Sequence, residues 1–202
     1  MQPRRAGPFL VLVLAAFLPG SALAASKNVA DLGGGTYALD RKHSSVLAKV
    51  EHMGVSLYTS RFDVMDATFS YDPARPEAAR VTASVDATSM DVGADYSAEF
   101  AERFLAATKF PKITFASTAI HKGEGNAGTM TGDLTIRGVT RPVTFDVTFN
   151  GVGRDLLPPF RAIAGFSATA HIKRSDFGSD FLNNGIVGDD VTLIIEAEFD
   201  RK

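Results

Sequence analysis

The sequence predicts an all-β fold: a closed antiparallel β-barrel of eight or nine strands with one short helix. Three observations carry this expectation. After Thr36, apolar and polar residues alternate with a period of two along most of the chain, the mark of strands with one buried face. Turn-forming clusters separate the alternating runs, so most connections are short and neighbouring strands are antiparallel. A sheet of this size removes its exposed edges by closing on itself.

The elements follow in order. Residues 25–35, with the run Gly33-Gly34-Gly35, read as a flexible leader before a first strand at 36–39. In 44–53, Val46, Ala48, Val50 and His52 share one face, and Leu47, Lys49, Glu51 and Met53 share the other. A strand at 58–71 stops at Asp72-Pro73, and 79–89 alternates Val81, Ala83, Val85 and Ala87 with Thr82, Ser84 and Asp86. The period then changes. Phe100, Phe104 and Ala107 make a helical stripe over 95–107. Pro111 forces Phe110 into an extended conformation, so Phe104, Leu105 and Phe110 dock the helix over one barrel end. Strands resume at 112–121, 129–137, 141–151, 161–174 and 189–200, divided by turns at 123–128, 155–159 and 183–190. A barrel of about eight strands is either filled by its own side chains or holds one small ligand. Small residues on the inward faces (Ala48, Ala83, Ala87, Gly132, Ala168, Ala170, Ala197) favour space inside.

Of the 202 residues, the first 24 read as a secretory signal. Arg4 and Arg5 give a positive start, an apolar run extends from Phe9 to Leu18, and Ala22-Leu23-Ala24 presents small residues for cleavage after Ala24. The run is too short for a spanning helix, which needs roughly 20 apolar residues. Arg4-Arg5 also suggests a twin-arginine route, but the position of Phe9-Leu10 favours the general one. Removing the signal takes the charge from 21 − 23 = −2 to 19 − 23 = −4. A mildly acidic chain lacks the clustered cations that a nucleic-acid partner requires. With no cysteine in the sequence, disulfides, thiol catalysis and thiolate metal sites are excluded.

Few residues suggest chemistry. His43 and His52 are separated by an odd number of positions, so a regular strand sends them to opposite faces. His121 begins a Gly-rich turn, and His171 faces outward by parity. These positions make no carboxylate–His set at metal spacing, so no metal site is expected. Asp40, His43 and Ser44 or Ser45 are too close in sequence to form a catalytic triad; they read as turn and strand-entry chemistry. No catalytic residue is assigned. Arg174 continues the inward parity of Phe166 to Ile172. It requires a buried partner, either Asp176 in an ion pair or a ligand.

Several stretches resemble a known family. They include Tyr37-Ala38-Leu39-Asp40, His43-Ser44-Ser45-Val46, Val50-Glu51-His52-Met53-Gly54-Val55 and Lys109-Phe110-Pro111-Lys112-Ile113-Thr114-Phe115. The most specific runs from Gly132-Asp133-Leu134-Thr135-Ile136-Arg137-Gly138-Val139 to Val143, and Arg174-Ser175-Asp176-Phe177-Gly178 and Val187-Gly188-Asp189-Asp190-Val191 complete the set. In this order they resemble the YceI-like polyisoprenoid-binding family. The resemblance implies an elongated lipocalin-like barrel, a periplasmic location, an isoprenoid chain in an apolar interior, and no catalysis.

The expected protein is therefore a periplasmic carrier of a polyisoprenoid or quinone-like lipid in a domain spanning 36–202, with no required cofactor. The alternative is a soluble periplasmic partner of a membrane redox or stress-response protein, with bound lipid incidental; a homodimer stays open. The candidate ligand-binding residues are Val46, Val50, His52, Phe69, Val85, Phe115, Leu134, Ile136, Phe145, Phe149, Phe166, Ala168, Ile172 and Arg174. If the strands run up and down in sequence order, His52, Arg137, Arg174, the helix and loop 175–188 gather at one rim. The segments 40–43, 72–76, 123–128 and 155–159 then lie at the other. The first rim is the expected mouth, with His52 and Arg174 near a ligand head group and the helix and loop gating access.

Overall fold

Alternating side chains build strands throughout the computed structural model, which describes residues 25–156 and 158–202. The strands are β1 (Gly35–Leu39), β2 (Ser45–His52), β3 (Ser56–Phe62), β4 (Met65–Tyr71), β5 (Arg80–Asp86), β6 (Met90–Asp91), β7 (Lys112–Lys122), β8 (Ala127–Ile136), β9 (Val139–Arg154), β10 (Ala162–Lys173) and β11 (Val187–Arg201). One α-helix, α1 (Ser97–Leu105), is found among the described residues. The expected signal segment 1–24 and its expected cleavage site lie outside them.

β1 and β2 lie end to end along β11, through Leu39↔Phe199 and Ile195↔Val46. β3 and β4 continue each other in the same way against β2 and β1, and β5 and β6 against β4 and β3. The sheet is thus a closed antiparallel barrel of eight long strands in sequence order. The apolar alternation predicted this architecture; it did not show that three of the long strands are broken.

The breaks lie side by side. At 40–44, the chain bulges out, while Asp40 N–H donates to Glu198 O and Glu198 N–H to Ser44 Oγ. The ladder of β11 therefore stays satisfied across the bulge. At 63–64, Asp63 N–H donates to Ser89 O, and Asp86 N–H to Val64 O. A break resets parity. Phe62 and Met65 are both buried, although an odd spacing would put them on opposite faces of a continuous strand. The expected single strands 58–71 and 79–89 are corrected accordingly. Segment 40–43, expected at a rim, instead lies within the barrel wall.

The rims otherwise collect the predicted segments. The upper rim has the tight links 53–55 and 137–138, α1 and loop 178–186; the lower has the links 72–79, 123–126 and 155–161. Residues 25–34 also reach the lower rim, and the leader reading of 25–35 is corrected. Ser26 makes an antiparallel bridge with Val152, Asn28 caps a short 3-10 turn (Val29–Asp31), and Leu32 is buried beside Tyr37, Phe69 and Phe199. Local glycine content suggested flexibility, but contacts with residues distant in sequence hold the segment.

A candidate ligand cavity inside the barrel

Inward-facing residues from every long strand surround a continuous cavity of about 860 Å³, toward the upper end of the range for small-molecule pockets. All fourteen residues expected at a ligand site line it. Val46, Val50 and His52 come from β2, Phe69 from β4, Val85 from β5 and Phe115 from β7. Leu134 and Ile136 come from β8, Phe145 and Phe149 from β9, and Phe166, Ala168 and Ile172 from β10, with Arg174 just beyond its end. The wall is mostly apolar because strand parity brings the same face of each run inward. Aromatic rings organise its lower part, where Phe69 packs edge-on against Phe166 and Phe199 at 5.5 and 5.9 Å.

The small inward residues do not all create space. Ala48, Ala83, Ala168 and Ala197 line the cavity. Gly132 does not, because the Phe115 ring lies over it: a Cβ there would sit 2.4 Å from that ring. Ala87 packs with Ala101 and Ala107 at the helix, and Ala170 is buried in the wall.

At the upper end, Phe100 and Phe104 of α1 and Leu182 and Ile186 of loop 178–186 face the cavity. The helix and loop are tied together. Phe104 O, one of the carbonyls left free at a helix C-terminus, accepts from Arg137 Nη1 at 3.1 Å and Ser179 Oγ at 2.8 Å. The Phe104 and Phe181 rings are 5.2 Å apart. His52 pairs with Val187 at this same end.

Arg174 is buried, but its partner is not Asp176. Nε donates to Gly188 O at 2.7 Å, Nη1 to Ser179 O and Phe181 O at 2.7 and 2.9 Å, and Nη2 to Val187 O at 2.9 Å. Of the two expected partners, Asp176 or a ligand, the ion pair with Asp176 is not formed: four backbone carbonyls, two from loop 178–186 and two from the start of β11, occupy four of the five guanidinium N–H groups. Burial pushes its pKa down, against the nearby charges of Asp189 and Asp180. Among the described residues, every buried side-chain nitrogen or oxygen has a hydrogen-bond partner.

A second cluster on the outer wall was not visible in the sequence. The bulge at 40–44 turns Asp40 and His43 toward Glu198 of β11, bringing three ligand-type atoms within 4.8 Å. His43 Nδ1 is 2.8 Å from Asp40 Oδ2 and 3.7 Å from Glu198 Oε1. The sequence reading found no such set because Glu198 is distant in the chain and only barrel closure brings it near. The Asp40 hydrogen bond pushes the His43 pKa up. Ser44 is buried while His43 is exposed, so they do not assemble into a nucleophile–base pair. His171 is exposed, as its parity predicted.

Comparison with known proteins agrees with this architecture. A UPF0312 protein of Pseudomonas fluorescens is 36% identical over 169 residues, covering 82% of this chain and 85% of the relative. The crystal structure of Burkholderia cenocepacia BcnA superposes with a TM-score of 0.71 at 27% identity, over 79% of this chain and 98% of that one. A Saccharophagus degradans domain described as polyisoprenoid binding shares the fold, with a TM-score of 0.62 at 16% identity, over 82% of this chain and 98% of its own. The model of the YceI-like domain matches residues 37–199, and the chain belongs to the YceI-like family.

Proposed function

We propose that this protein is an exported, periplasmic binding or carrier protein that holds a long isoprenoid or quinone-like lipid inside its barrel and does not alter it chemically. The observation that carries this reading is the continuous, mostly apolar cavity of about 860 Å³. Binding is driven by removal of apolar surface from water, on the order of 25 cal/mol per Å² before ordering costs. The polyisoprenoid-binding description of the Saccharophagus degradans domain is in keeping with this reading, although only fold links the two proteins. The location and lack of a required cofactor belong to the same proposal.

A second reading is a soluble partner of a membrane redox or stress-response protein. The β2–β3 link favours it, since Met53, Val55 and Leu57 are 60%, 81% and 67% exposed and concentrate apolar surface at one tip. Ala168→Phe separates the readings. It fills cavity space at a residue only 8% exposed without adding charge. A folded variant should take up a fluorescent polyprenol at least tenfold more weakly than the parent. Equal uptake would refute interior binding at this position.

A further inference from the structure

We infer that residues 28–35 form a floor to the cavity and that Leu32 sets the length of apolar chain the barrel accepts. This rests on the reading of the interior as a lipid site. Val29, Ala30 and Leu32 make one side of the lower end of the cavity, which Pro76 and Glu77 of the β4–β5 link and Lys122 and Asn126 beside the β7–β8 link also border. Leu32 is 3% exposed and packs in the cluster that includes Tyr37, Phe69 and Phe199.

The floor is anchored on both sides. Ser26 and Val152 exchange backbone hydrogen bonds at 2.8 and 2.9 Å, and Lys27 Nζ donates to Asn150 O. Asn28 Oδ1 accepts from Ala30 N–H at 3.0 Å, which fixes the short turn. After Leu32, the buried Tyr37 hydroxyl donates to Gly33 O at 2.6 Å. The glycine run serves close approach. A Cβ on Gly33 would lie 2.7 Å from Arg201 Nη1, and one on Gly34 would lie 2.8 Å from Pro73 Cδ. The Pro73 ring leaves no room for a side chain at Gly34, whereas the Arg201 guanidinium beside Gly33 is the end of a flexible chain that can swing aside.

The family match begins at residue 37. The barrel is therefore shared with the family, while the floor lies in sequence outside the matched domain. Affinity for an apolar chain rises with each methylene buried until its end meets a wall. A longer chain must then fold back or leave its end in water. Leu32 is the floor side chain that projects into the packed interior, so its size places that wall.

The test is a binding series of polyprenols increasing by one isoprene unit, measured on the exported protein and three variants. Leu32→Ala should improve binding of the chain one unit beyond the parent's optimum by roughly tenfold, the gain from about two more buried methylenes. Leu32→Phe should shift the optimum to a shorter chain. Val143→Ala truncates a buried β9 residue that neither lines the cavity nor belongs to the Leu32 cluster; it should leave the optimum unchanged at a comparable loss of thermal stability. If Leu32→Ala does not fold, Leu32→Val should give a smaller shift in the same direction. An unchanged length profile with a lipid-binding parent overturns the floor assignment alone. Failure of the folded parent to bind any member overturns the interior-binding reading and the floor with it.

Discussion

Arg174 shows how one side chain organises a loop. Its guanidinium donates to the carbonyls of Ser179, Phe181, Val187 and Gly188, tying loop 178–186 to the first residues of β11. Lysine has no planar fork with which to span these acceptors. Arg174→Lys is therefore predicted to cost about 2 kcal/mol or more by leaving buried carbonyls unpaired. Hydrogen exchange in loop 178–186 should rise more than in β8 or β9, as native-state exchange on the variant will show. Inward parity identified Arg174 as a buried charge in the sequence. Its partners were not legible, because backbone carbonyls have no residue signature. A pH effect comes from the outer-wall cluster. Burial alone would raise the Asp40 pKa, but hydrogen bonds from His43 and Lys42 outweigh it and hold the carboxyl below its ordinary 3.8. His43 is raised above 6.5 by the same carboxylate. Its stabilising contribution is fully present below 6.5 and lost as pH rises through the raised folded value. The Asp40 contribution is present above 3.8 and lost as pH falls through the lowered one. In denaturant titrations, His43→Gln should thus destabilise most between those two ordinary values, and the difference should disappear well above neutral pH. A difference that grows toward high pH would contradict the assigned pairing.

Elements show where side-chain size and backbone path are adjusted together. β7 and β8 pair Ser117 with Gly132, and the Phe115 ring occupies the space a side chain at 132 would fill. This arrangement lets the ring lie flat against the wall, 5.2 Å from Phe145. In Gly132→Ala, the new methyl would lie 2.4 Å from both Ala116 O and the ring, so Phe115 must swing toward the cavity and the β7 backbone must give at Ala116. The prediction is a loss of about 2 kcal/mol in stability together with weaker uptake of long chains, checked by thermal melts and polyprenol binding on the same preparation. The positions of most strands were legible because period-two alternation extends over many residues. The breaks at 63–64 and 87–89 were not, because short interruptions leave composition unchanged and only reset which parity faces inward. Gly33-Gly34-Gly35 misled for a related reason: glycine serves flexibility and close approach equally, and only the positions of Arg201 and Pro73 distinguish them.

At the scale of the molecule, a closed barrel with an apolar interior forms without cysteines because its edges are paired all the way round. Much of the cavity wall was legible from parity because a barrel wall has one inner face, and each unbroken strand run turns alternate residues toward it. The contribution of residues 29–32 to that wall was not recoverable, since a segment folded across a barrel end has no periodic pattern. A lipid held by the cavity in the periplasm would copurify with the protein. The most direct measurement is mass spectrometry of lipids extracted from protein purified natively from that compartment, without detergent. An isoprenoid or quinone-like lipid is expected at close to one molecule per chain, lost from the folded Ala168→Phe variant. Protein recovered without any apolar lipid, and unable to take one up from polyprenol vesicles, would contradict it.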